Sequence, residues 1–153
     1  MKKASVFIKV PEGRTDLIKE HTKKFKVKID EAFWLSFRDK DHSFYELKTT
    51  QNSLKILYEL CTHLIKHPHV FIEQINVYFK NRDNCLEKLQ DKGFSKYEEV
   101  DYVDFDYKQK NVKVVVAKED NHFVIKLIVL DSNKETDITY YFRLIRRVLE
   151  IVR

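Results

Sequence analysis

Val6, Ile8 and Val10 alternate with Phe7 and Lys9, a two-residue period that predicts a strand with one buried face, closed by Pro11 and Gly13. Leu17, Ile18, His21 and Phe25 follow at helical spacing, with Thr15 or Asp16 placed to cap a helix that runs into a basic stretch, Lys23 to Lys28. Phe33 to Phe37 and Ser43 to Lys48 read as two strands of a hairpin around Arg38-Asp39-Lys40-Asp41-His42. Leu54, Leu57, Leu60, Cys61 and Leu64 then share one helical face, with Asn52 or Ser53 as the cap and Pro68 beyond the end. Val70 to Phe79 predicts a strand, and Asp83 to Lys92 a short helix closed by Gly93. Val100 to Tyr107, Val112 to Lys118 and Phe123 to Leu130 predict a three-stranded meander. The last helix starts near Thr136 or Asp137; Ile138, Tyr141, Phe142, Ile145, Val148, Leu149 and Val152 form its apolar stripe, opposite Arg143, Arg146 and Arg147.

The order β-α-β-β-α followed by β-α-β-β-β-α predicts an α+β fold, a mainly antiparallel sheet with helices packed on one side, formed by residues 1–153 as one domain. Its two halves, 4–69 and 70–153, superpose in pattern: Val6, Ile8, Val10, Leu17, Lys19, Lys23 and Phe25 fall opposite Ile75, Val77, Phe79, Leu86, Lys88, Lys92 and Phe94 at one constant offset. After an insertion, Asp41 and Phe44 face Asp120 and Phe123. In this order the chain resembles the internally duplicated saddle of TATA-binding-protein-like domains, whose halves also run strand, helix, curved strands and long helix. The glycine and proline landmarks of that family are absent and the first half is one strand short. The resemblance therefore implies a topology and carries over no DNA-contacting residues.

Composition narrows the functional classes. At 43% hydrophobic and 35% charged, the 153 residues can bury a sizeable core under a wet surface. No apolar run approaches the roughly 18 residues of a membrane span, and Met1-Lys2-Lys3 leads only into a short strand-like run. Cys61 and Cys85, the two cysteines, both sit in helical segments, which fits a reducing compartment, and a cytoplasmic location is expected. With Gly13 and Gly93 the only glycines, phosphate-cradling loops of the P-loop or Rossmann kind are excluded. The net charge of +5 is moderate, and lysine supplies most of the 29 basic residues.

The most enzyme-like feature is Glu46-Leu47-Lys48 at a strand end, with Asp30 before it and Glu20 on the preceding helix. This resembles a restriction-endonuclease-like nuclease core, in which Asp30 and Glu46 would hold Mg²⁺ and Lys48 would orient the attacking water. Acid-x-Lys triplets also recur by composition, Asp106-Tyr107-Lys108 being another. Cys61, His63, His67 and His69 crowd one helix end, but histidines there also complement the helix dipole, and no metal or other cofactor is assigned. No serine or cysteine has the adjacent base or glycine elbow of a covalent catalyst.

Two charged surfaces remain. The first 28 residues hold nine Lys or Arg against three acids; Lys19, Lys23, Lys24, Lys26 and Lys28, together with Arg143, Arg146 and Arg147, could track a phosphate backbone. Phe33, Trp34, Phe37 and Tyr45 are available for stacking, although strand alternation favours a buried Trp34. Glu98, Glu99, Asp101, Asp104 and Asp106 form an acidic run from which Val103, Phe105 and Tyr107 point away, either protecting a sheet edge or docking a basic partner. The expected function is a noncatalytic domain that binds nucleic acid or a nucleoprotein complex through its basic faces. The alternatives are a protein-binding adaptor or inhibitor of immunity or anti-defence type that uses the acidic strand, and the Mg²⁺-dependent nuclease.

Overall fold

The computed structural model describes residues 4–49 and 54–153. The strands are β1 (Ala4–Pro11), β2 (Val27–Glu31), β3 (His42–Thr49), β4 (Phe71–Lys80), β5 (Ser95–Lys96), β6 (Tyr102–Tyr107), β7 (Val112–Glu119) and β8 (His122–Val129). The helices are α1 (Thr15–Thr22), α2 (Leu54–Leu64), α3 (Cys85–Gln90) and α4 (Ile138–Val152). All eight strands join one sheet in the order β2-β3-β1-β4-β8-β7-β6-β5, and every pairing is antiparallel. The fold is thus α+β.

Strand alternation gives the sheet two unlike faces. Across the middle, Leu47, Val6, Ile75, Leu127 and Val114 lie in register, and all are fully buried. They join one continuous core cluster with Leu17 and Ile18 of α1, Leu57, Leu60, Cys61 and Leu64 of α2, Leu89 of α3 and the stripe of α4, so the helices cover this face alone. In α4 the stripe Ile138, Tyr141, Phe142, Ile145, Val148 and Val152 is buried, each large side chain contributing roughly 1.5–3 kcal/mol. Asp137 caps this helix by accepting a hydrogen bond from the Tyr140 backbone N–H at 3.0 Å. The opposite, open face carries Glu46, Lys48, Phe7, Gln74, Asn76, Tyr78, Lys126 and Lys113, a polar surface with occasional rings.

At the sheet centre, β1 pairs with β4 so that Val6 faces Ile75. Away from that pair the two sides differ, β3 and β2 flanking β1 and β8, β7, β6 and β5 flanking β4. One irregularity interrupts the central pairing: Phe7 faces Gln74 and Ile8 faces Ile72, leaving Glu73 as an extra residue in a β-bulge.

Several boundaries differ from the sequence expectation. The hairpin partner of β3 is β2, drawn from the basic stretch and the residues just after it, rather than Phe33 to Phe37. Val27 and Ile29 supply the alternation that the run Phe33-Trp34-Leu35 lacks, and Phe33–Arg38 forms a 3-10 helix instead. Ser36 supports that turn by donating to the Phe33 carbonyl at 2.6 Å. Neither Thr15 nor Asp16 caps α1: Arg14 occupies the cap position, its side chain makes no bond to the helix backbone there, and it pairs instead with Asp16 at 3.1 Å. The short β5 had no apolar signal, both residues being exposed, and the cap expected at Asn52 or Ser53 lies outside the described residues.

Gly93 follows α3 at φ +100°, and a Cβ there would stand 3.3 Å from the Phe105 ring. Gly93→Ala should lower stability by about 1–2 kcal/mol, because it adds left-handed strain to a tight contact. Chemical denaturation of the two proteins checks this, and equal midpoints would show that the turn relaxes freely.

Candidate functional site

The helix-covered side gathers part of the expected basic surface. After α1 the chain turns through Lys23 and Lys24, with the Phe25 N–H bonding the Thr22 carbonyl at 2.9 Å. Phe25 packs against the His63 ring of α2 at 5.8 Å between centroids, and the Lys24 ammonium stands 5.3 Å over the Phe25 ring. Between this turn and α2 lies a cavity of about 500 Å³ whose lining includes Lys24, Lys26, Lys66, Thr62, His63 and Glu59. Three ammonium groups and one carboxylate leave it electropositive, and Lys66 joins a group that sequence proximity alone had not included.

Lys19 is exposed on α1, and Arg143, Arg146 and Arg147 are exposed on α4, two helices that both pack against α2. Lys28 is separated from them, since it lies in register with Lys48 on the open face.

On that open face the register sets Asp30 opposite Glu46 and Lys28 opposite Lys48, like charges facing like. The diagonal resolves the repulsion: Lys48 Nζ lies 3.0 Å from Asp30 and 3.7 Å from Glu46. Asp30 is held below the usual carboxylate range, mainly by the hydrogen bond from Lys48, and Lys48 is raised chiefly by its bond to Asp30. The three residues of the nuclease reading do converge, yet the lysine sits against both carboxylates as their counter-ion, where Mg²⁺ would have to bind. Glu20, on α1, belongs to the opposite side of the sheet. Glu46 and Lys48 also border a cavity of about 640 Å³ with Ser5, Tyr78, Glu119 and His122. Burial, followed by the Glu119 and Glu46 charges, pushes the Tyr78 phenol up.

The acidic run is divided by the fold. Glu98, Glu99, Asp101 and Asp106 are exposed, whereas Asp104 is buried between Lys113 at 3.8 Å and the Tyr97 hydroxyl at 3.4 Å. Val103, by contrast, is core as expected. Among the histidines, the His69 N–H donates to His67 Nδ1 at 3.1 Å, while burial raises the Cys61 thiol. Among the described residues, no three His, Cys, Asp or Glu side chains are grouped to hold a metal ion.

The feature that sequence reading missed is an aromatic knuckle. Because Phe33–Arg38 is a 3-10 helix rather than a strand, Phe33, Trp34 and Phe37 are 69%, 59% and 76% exposed, and the expectation of a buried Trp34 is reversed. Trp34 meets the Phe7 ring edge-on at 6.4 Å over the open face. The turn behind the knuckle is anchored: the Ala32 N–H bonds the Phe44 carbonyl at 2.8 Å, Arg38 reaches Glu73 at 3.8 Å, and Asp39 meets Lys9 at 3.4 Å and His42 at 2.8 Å.

The chain matches no protein-family model and no curated protein. Among the described residues, no helix is long and apolar enough to cross a membrane.

Asp39 gives the knuckle a pH dependence. Its carboxyl is held below the usual range, first by the close approach of His42, working against partial desolvation. A depressed folded-state pKa means that this stabilisation is complete above the ordinary aspartate value of about 4 and is lost as pH falls through the lower folded value. Trp34, the only tryptophan, should report an acid-side change in emission that Asp39→Asn removes. An unchanged acid transition in the variant would separate the knuckle from Asp39.

Proposed function

We propose that this chain is a noncatalytic binding domain that contacts the phosphate backbone of a nucleic acid through its helix-covered side. The observation that carries the reading is the cleft beside α2, where Lys24, Lys26 and Lys66 line one concavity with a single acidic residue, Glu59. Lysines on a concave surface attract phosphates without demanding base sequence, and α4, which packs on α2, carries further exposed arginines on the same side of the sheet. The open face is less suited to this role, because its cations at Lys48, Lys113 and Lys126 stand beside Asp30, Asp104 and Glu119. No base-reading element is assigned, so the binding is expected to be tolerant of sequence.

Fluorescence anisotropy with labelled single- and double-stranded DNA and RNA, in Mg²⁺ and across a salt series, tests the reading. Affinity should fall with salt by a slope of about 0.7–0.9 per phosphate contacted. Replacing Lys24, Lys26 and Lys66 together by Ala should flatten that slope and weaken binding by at least tenfold, with Arg143→Ala/Arg147→Ala having a smaller effect. Binding that ignores both salt and these variants would overturn it. Cleavage of the labelled strands, abolished by Glu46→Ala, would instead move function to the Asp30, Glu46 and Lys48 cluster.

A further inference from the structure

Three large aromatic side chains exposed on one short turn are costly to leave in water, and here they are not loose. The anchors of Arg38 to Glu73, Asp39 to Lys9 and Ala32 to Phe44 hold the turn from behind, so the rings are presented in a fixed arrangement. Beside Phe33 opens a cavity of about 320 Å³ lined also by Glu12, Glu31, Lys40, His42 and Phe44. His42 is engaged with Asp39, and the Glu12 and Glu31 carboxylates form no ion pair among the described residues. Against these two carboxylates the lining sets one lysine, Lys40, and Asp41, whose carbonyl accepts the Glu12 N–H at 3.0 Å, is exposed nearby.

The local balance is therefore acidic on a chain whose net charge is +5. An acidic rim repels a phosphate backbone, which disfavours stacked nucleobases as the occupant despite the rings. It complements a cation flanked by apolar groups. We infer that the knuckle and its cavity dock a protein segment in which Arg or Lys adjoins apolar side chains, the cation entering between Glu12 and Glu31 while its neighbours pack on Phe33, Trp34 and Phe37. The knuckle meets the open face at Phe7, while Glu31, in register with Tyr45, is turned to the other face, so the cavity opens at the end of the β2-β3 pair; it shares no lining residue with the proposed nucleic-acid cleft, and its test does not depend on that cleft.

Trp34 provides the readout. Two capped heptapeptides, one alternating Leu with Arg and one alternating Leu with Glu, are titrated while Trp34 emission and acrylamide quenching are followed. The Leu-Arg peptide should shift emission to the blue and shield Trp34, although the net charge of the chain favours the acidic peptide. Glu12→Gln/Glu31→Gln should weaken that binding by about tenfold, and Phe37→Ala should do so as well, whereas Lys24→Ala/Lys66→Ala should leave it unchanged. Equal binding of both peptides, or indifference to the glutamine variant, would overturn the inference. So would displacement of the Leu-Arg peptide by an oligothymidylate that quenches Trp34, which would make the knuckle a base-stacking platform. A blue shift that grows with protein concentration in the absence of peptide would also overturn it, by making a second copy of the chain the occupant.

Discussion

A lysine buried in a central strand determines how one end of this molecule is built. Lys9 is 4% exposed in β1, with apolar partners Phe44 and Phe71 on the neighbouring strands. A charge removed from water in this way is tolerable only with partners, and taking one partner from a buried pair typically costs about 3–5 kcal/mol. The bulge at Glu73 places one carboxylate 3.8 Å away, Asp39 approaches to 3.4 Å, and Asn133 accepts a hydrogen bond at 3.0 Å. Glu73, itself buried, is also held by the Ser132 hydroxyl and by Arg38. Satisfying one ammonium group thus draws in the turn before β3 and the turn before α4, and positions the aromatic knuckle.

The rest of the sheet follows from its two faces. On the helix side, apolar residues in register across the central strands leave the helices one broad surface to cover, and the strongest stripe, that of α4, reaches from β8 to α3. On the open side, charged residues are arranged so that a strand's cation meets an acid on its neighbour: Lys48 with Asp30, Lys113 with Asp104, and Lys126 with Glu119. The more exposed of these, Lys48 with Asp30 and Lys126 with Glu119, contribute little stability singly. Their consequence is electrostatic, since they cancel most of the open face's charge and leave the excess cations around α1, α2 and α4.

Much of this was legible in the chain because it was periodic. The alternation of β1, β4, β7 and β8 and the stripes of α2 and α4 were long enough to identify type and buried face, and Asp137 marked the start of the last helix. Misreadings cluster where local pattern is weak. Phe33-Trp34-Leu35 has strand-like composition but no alternation, so its helical turn and its exposure depend on tertiary anchors at Phe44, Glu73 and Lys9 that no local window contains. The same limit applies to the candidate sites. Asp30, Glu46 and Lys48 do converge, but through β2, a strand that the local pattern had not marked as the partner of β3. The counter-ion position of Lys48 required the diagonal geometry, and the partnership of Lys66 with Lys24 required the packing of α2 against the turn after α1.

The separation of the two proposed surfaces has a thermodynamic consequence. The basic cleft lies on the helix side at the start of β2, and the knuckle follows the end of that strand, with Trp34 over the open face. Coupling between them would need an element with two alternative arrangements, biased by both ligands. The element that joins them is β2, which runs from Val27, next to Lys26 of the cleft, to Glu31 of the cavity and is held in one register by five pairs with β3, whose Leu47 is fully buried. Ligands at the two surfaces should therefore bind additively, as do changes at distant, independent sites. A domain of this design would join two partners by holding them at fixed separation, with the sheet as a rigid spacer, and would not relay the occupancy of one surface to the other.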